Sequence, residues 1–228
     1  MNSTSISLSE HRYFSIVAVV VTVTVLAGFI PLYTLRLLRH DPNLTLLVHA
    51  HGFVMTAWIA LFLTQTLLIA KYRIELHRQL GMFGVGLATL VILVGMPSLV
   101  NAAARRSHDV HSVRFLWMLV AFDGIALAVF AGLVAAAIVL RLRGDYHKRL
   151  MLLATLSLLG PAFGRLTEYA SGFRGNSDFG VMLLCTGTVL TCALFDKTKS
   201  HRLHPAFLWG GAAVVGMDVA TYLAKMML

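Results

Sequence analysis

Seven long apolar runs, separated by short loops rich in arginine, lysine and histidine, leave this chain few ways to fold. The runs cover roughly residues 13–38, 44–70, 80–103, 111–140, 148–169, 179–195 and 205–226. Most reach the length of about 20 apolar residues that an α-helix needs to cross the hydrocarbon core of a bilayer. A backbone in that core must satisfy its own hydrogen bonds, and a helix does so within one segment. The expected fold class is therefore all-α, an integral membrane seven-helix bundle forming a single transmembrane domain over residues 1–228. Composition agrees: 58% of the residues are hydrophobic and only 13% charged, against about one quarter charged in a soluble domain. The loops leave no room for a soluble domain, and neither a phosphate-cradling glycine loop nor a nucleophile elbow is present.

Punctuation along the chain fits this division. No small-residue cleavage site follows the first run, which therefore reads as an uncleaved helix. Asp41, Pro42 and Asn43 make a turn. In the third run, Gly81, Gly84 and Gly86 permit close packing and Pro97 predicts a kink. Gly160 and Pro161 predict a bend in the fifth. The formal charge of +9, with ten histidines counted neutral, sits mainly in the loops. That placement suits phospholipid headgroups and topology control, so the expected partner is the lipid bilayer and not nucleic acid. An odd number of spans puts the termini on opposite sides. Eleven Lys and Arg fall on the N-terminal side and eight on the other, which predicts a cytoplasmic N-terminus in a bacterial inner membrane, although Arg36 and Arg39 pull the other way.

The polar residues inside the runs are not scattered. His51, Met55, Trp58 and Gln65 share one helical stripe, because separations of four, seven and fourteen return to nearly the same angle. Lipid disfavours His and Gln, so the stripe is expected to face the bundle interior. His49 lies about 200° away on the same helix. The best-placed histidines then alternate between sides: His49 or His51, His77, His111 and His147. Paired imidazoles from facing helices are the usual axial ligands of a low-spin haem. Haem b is thus the first cofactor reading, with His51 and His111 as one pair and His77 and His147 as the other. Arg114, with Arg105 and Arg106, and on the other side Arg78, Lys148 and Arg149, are candidate propionate partners.

The same residues admit other chemistry. His51, His108, His111 and Glu168 could hold zinc or iron in a non-haem membrane enzyme. Histidines that merely bond between helices would suit an accessory subunit of a larger complex, and helix breaks at Pro97 and Gly160–Pro161 would suit a small-molecule transporter. Asp123 and Asp218 stand near the middle of their runs, where carboxylates are costly and are candidates for proton carriers or partners of a buried cation. Arg165 and Glu168, three apart, are placed to pair. Cys185 and Cys192 read as small apolar packing residues, too far apart along a helix to bridge.

The alternation of histidines resembles the dihaem transmembrane cytochrome b proteins typified by the ascorbate-reducing family, in which four successive helices supply His pairs at opposite faces. That resemblance implies electron transfer across the membrane, an oxidoreductase activity, and a quinone or other redox partner. Over almost the whole chain, HAHG with the later Trp58 and Gln65, then LHRQLG, then HKRLMLLAT, resembles a family of uncharacterised bacterial polytopic membrane proteins. This second likeness implies that the motifs recur together and assigns no activity.

Overall fold

The computed structural model describes residues 3–104, 110–172, 178–200 and 202–226; the side chains at 3–9, 103, 110–122, 199 and 200 are not among those described. The described residues are helical throughout, with short turns and no strand. The helices are α1 (Ser3–Leu38), α2 (Leu46–Ala70), α3 (Ile74–Ala104), α4 (Val110–Val139), α5 (Gly144–Leu156), α6 (Gly160–Ala170), α7 (Asp178–Ser200) and α8 (Ala212–Met226), the last entered through a π-helical turn at Phe207–Gly211. Among the described residues, five of them can cross a membrane by length and composition, or six if α5 and α6, bent by 47° at their junction, form one span. α4 coincides with the fourth expected run, and its described apolar part is Asp123–Val139.

Several helices outrun the apolar runs. His77 and Arg78 lie inside α3, not in a loop before it, because Ile74–Gln79 is a string of good helix formers with Glu75 in the first turn, where its charge suits the helix dipole. α5 likewise starts at Gly144, four residues before the apolar run, with Asp145 in its first turn. Hydrophobicity marks where a helix meets lipid, not where its hydrogen bonding stops.

The chain divides into two compact units, Met1–Val94 and Gly95–Leu228. In the first, α1 packs against α2. α1 buries Phe14, Ala18 and Val21 and α2 buries Val54, Trp58, Ile59 and Phe62, each at helical spacing. The turn joining them is built on Asp41, whose carboxylate accepts from Arg36 Nε at 2.7 Å and from the backbone and side-chain nitrogens of Asn43 at 2.8 and 3.0 Å. The Asn43 backbone bond, then Arg36, hold the Asp41 carboxyl below the usual carboxylate range. Tyr72, at φ +57°, turns the chain from α2 into α3.

The second unit is organised around α5. Arg149, Leu150 and Leu152–Leu156 are all buried, so the second half of this helix is covered on every side. α4 covers one side with Phe130, Leu133, Val134 and Ala137. α5 ends where Ser157, its hydroxyl bonded to the Ala154 carbonyl at 2.8 Å, leads into Gly160 and Pro161 at the start of α6. That bend matches the one expected from Gly160 and Pro161.

Candidate functional site

The polar residues of the second unit form a line along α7. Asp178, Cys185, Cys192 and Asp196 are seven, seven and four residues apart, spacings that return to one face of a helix over about 27 Å of rise. Cys185, Cys192 and Asp196 are buried and Asp178 is half-buried. The two thiols are free. Asp178 meets α8, which returns antiparallel beside α7, and Asp196 meets α5.

At one end Lys225 Nζ, in the last turn of α8, donates to Asp178 Oδ1 at 2.5 Å, and Tyr222 stands against Phe179 with ring centroids 5.7 Å apart. Two turns deeper on both helices the same register brings Asp218 level with Cys185. Asp218 Oδ2 is buried and has no hydrogen-bond partner among the described residues, as is also true of Thr186 Oγ1, next to Cys185 in sequence. Asp123 stands on α4, half-buried, in the same unit. The two acids singled out from the sequence thus belong to the second unit.

At the other end Asp196 forms a buried ion pair with Arg149 of α5. Nε donates to Oδ1 at 2.8 Å, Nη2 donates to the same oxygen, and Nη1 donates to the Asp145 carbonyl at 2.8 Å. Asp145 accepts from His204 Nε2 at 3.1 Å. The tautomer follows from the network: His204 Nδ1 accepts the Ala206 N–H at 3.2 Å, so Nε2 carries the proton. His204 thus caps the helical segment that begins at Pro205. Asp196, Asp178 and the Asp145–His204 pair escape a reading based on single residues. The available signal was the five-turn spacing of Asp178 and Asp196, with two cysteines on the stripe between them.

The residues expected around a haem are distributed as follows. On α2, Trp58 is buried and His51, Met55 and Gln65 are half-buried, whereas Phe53, Thr56, Ala60 and Thr64 on other faces are exposed. Gln65 does structural work: Nε2 donates to the His77 carbonyl at 3.2 Å and ties α2 to the first turn of α3, while Oε1 is buried without a partner among the described residues. His49 shares a 2.7 Å hydrogen bond between Nδ1 and the Tyr33 hydroxyl of α1. His51 and His77 belong to the first unit and His111 and His147 to the second. His147 donates from Nδ1 to the Ala137 carbonyl at 2.9 Å. A neutral ring so held has its lone pair on Nε2, the arrangement of a ligating imidazole. In that respect His147 fits a haem, but Arg149 does not fit as a propionate partner, because Asp196 already occupies it.

For the zinc or iron reading, His108 lies outside the described residues and only the backbone of His111 and Arg114 is described. Glu168 is exposed on α6, and Arg165 donates from Nη1 to the Pro161 carbonyl at 2.8 Å. Among the described residues no three His, Cys, Asp or Glu side chains gather closely enough to hold a metal ion. No family model, curated protein or solved structure matches the chain.

Proposed function

We propose that this chain is an integral protein of the bacterial inner membrane, with seven spans and a cytoplasmic N-terminus, that carries protons through its second unit by way of the Asp218 carboxyl. The observation that carries the reading is the buried Asp218 oxygen without a partner, two turns inside the Lys225–Asp178 pair. A carboxylate in hydrocarbon is tolerated only when paired or neutralised, so a carboxyl there is suited to taking up a proton from one side and releasing it to the other. In each cycle one O–H bond forms at Asp218 and later breaks, with no other group consumed. Asp123 supplies a second mid-run carboxyl in the same unit.

The test is proton flux in liposomes containing the purified protein, driven by a potassium diffusion potential and read by an internal pH dye. Wild type is expected to carry flux and Asp218→Asn to fall to the background of empty liposomes. Labelling by dicyclohexylcarbodiimide, which reacts with protonated carboxyls in apolar surroundings, should add mass at Asp218 and vanish in that variant. Folded wild-type protein with neither flux nor labelling would sink the proposal.

A second reading, electron transfer through haem b to a quinone or other redox partner, is favoured by the His147 tautomer. His51 with His111, and His77 with His147, would each supply the two axial ligands of a haem, whose chemistry is one-electron exchange. An absorption spectrum, oxidised and then dithionite-reduced, decides it: a stoichiometric Soret band with sharp reduced alpha bands is required, and a featureless spectrum rejects it.

A further inference from the structure

One end of the second unit gathers cations that its acids do not balance. The α4–α5 turn and the segment before the π-helical turn are pinned together there by the His204–Asp145 bond and by the Tyr146 and His204 rings, edge to face with centroids 4.6 Å apart. The Arg149–Asp196 pair adds α7 to the same end. Asp145 and Asp196 are the only acids in residues 141–150 and 191–209, and each is already bonded to a cation or an imidazole. Arg141, Arg143 and Lys197 are exposed, Arg143 lying over the Tyr146 ring at 5.9 Å. Between the two arginines Leu142 is 94% exposed, and Val139, one turn back, is 78% exposed. Trp209 and Leu208 are exposed on the π-helical turn.

We infer that this end binds the phosphate of an anionic phospholipid headgroup, with Arg141, Arg143 and Lys197 as its cationic contacts. Apolar side chains set beside cations decide for a lipid over a free anion. Leu142 and Val139 require acyl chains or other apolar cover, which inorganic phosphate cannot supply, while indole and guanidinium groups sit well at the headgroup boundary. Juxtamembrane cations each favour an anionic surface by roughly fivefold, so three give on the order of a hundredfold over a zwitterionic lipid. The inference stands apart from proton carriage, since Asp218 takes no part in it.

The experiment is native mass spectrometry of the detergent-purified full chain titrated with phosphatidylglycerol, phosphatidylcholine or inorganic phosphate. Retention of phosphatidylglycerol about a hundredfold above phosphatidylcholine, weakening as ammonium acetate is raised, is expected. Arg141→Gln/Arg143→Gln/Lys197→Gln should remove that preference, while Lys71→Gln/Arg73→Gln, exposed cations of the first unit, should keep it. Equal retention of the two lipids, full competition by inorganic phosphate alone, or an equal loss in the first-unit variant would overturn the inference. Should the triple variant fail to fold, the lipid preference and salt dependence of the wild type decide alone.

Discussion

Three consecutive residues of α5 show how much a boundary motif conceals. His147, Lys148 and Arg149 read in sequence as a haem ligand followed by two candidate propionate partners. Successive residues on a helix point about 100° apart, and the three go different ways. His147 bonds the Ala137 carbonyl at the end of α4, Lys148 is half-buried, and Arg149 turns inward to Asp196. With side chains only 5% and 3% exposed, the Arg149–Asp196 pair should be asymmetric in its response to mutation. Arg149→Ala or Asp196→Ala leaves one charge buried alone and is expected to cost about 3–5 kcal/mol, whereas Arg149→Met combined with Asp196→Leu should recover most of that loss. Unfolding in detergent, followed through the reactivity of Cys185 and Cys192, measures all three. If the double variant is no better than the worse single one, the pair is not an isolated electrostatic contact.

At the scale of elements, the second unit depends on how closely the π-helical turn approaches α4 and α5. A Cβ at Gly210 would stand 3.0 Å from Leu153 Cδ1 and 3.2 Å from Leu133 Cδ2. The glycine is there because the backbone itself fills the space between two leucines. Gly210→Ala should therefore destabilise by about 1–3 kcal/mol through overpacking, and Gly210→Val by more. Gly216, further along α8, has nothing within 4 Å of its would-be Cβ. Gly216→Ala should be neutral or stabilising by up to about 1 kcal/mol, through helix propensity alone. The same unfolding assay compares them, and equal effects at the two glycines would show that the turn does not pack as described. The bend between α5 and α6 was readable from Gly160 and Pro161. The tight seat of Gly210 was not, because it depends on Leu133 and Leu153, which lie far away in the chain.

For the molecule as a whole, the seven-span proposal predicts that residues near the two ends of the chain lie on opposite sides of the membrane. In a Cys185→Ala/Cys192→Ala background, Ser5→Cys and Met226→Cys should react with a membrane-impermeant maleimide from opposite faces of oriented vesicles. Labelling from the same face would mean an even number of crossings, as when the bent α5–α6 pair returns to the side it came from. The division into Met1–Val94 and Gly95–Leu228 also separates the sequence candidates: the His51–Trp58–Gln65 stripe falls in the first unit, and both mid-run carboxylates, Asp123 and Asp218, fall in the second.

Hydropathy and periodicity determine the helical class, the positions of most helices and the non-exposed face of α2, because lipid-facing and buried faces obey one rule applied residue by residue. The Asp41 turn is equally local, since all its bonds lie within residues 36–43. What the tertiary structure alone decides is which polar groups meet. Arg149 and Asp196 are 47 residues apart, as are Lys225 and Asp178, and His204 and Asp145 are 59 apart. No periodicity within one helix connects such residues. Their pairing follows from the antiparallel return of α8 along α7 and from the buried second half of α5, and it is this packing that leaves Asp218 Oδ2 buried without a partner among the described residues.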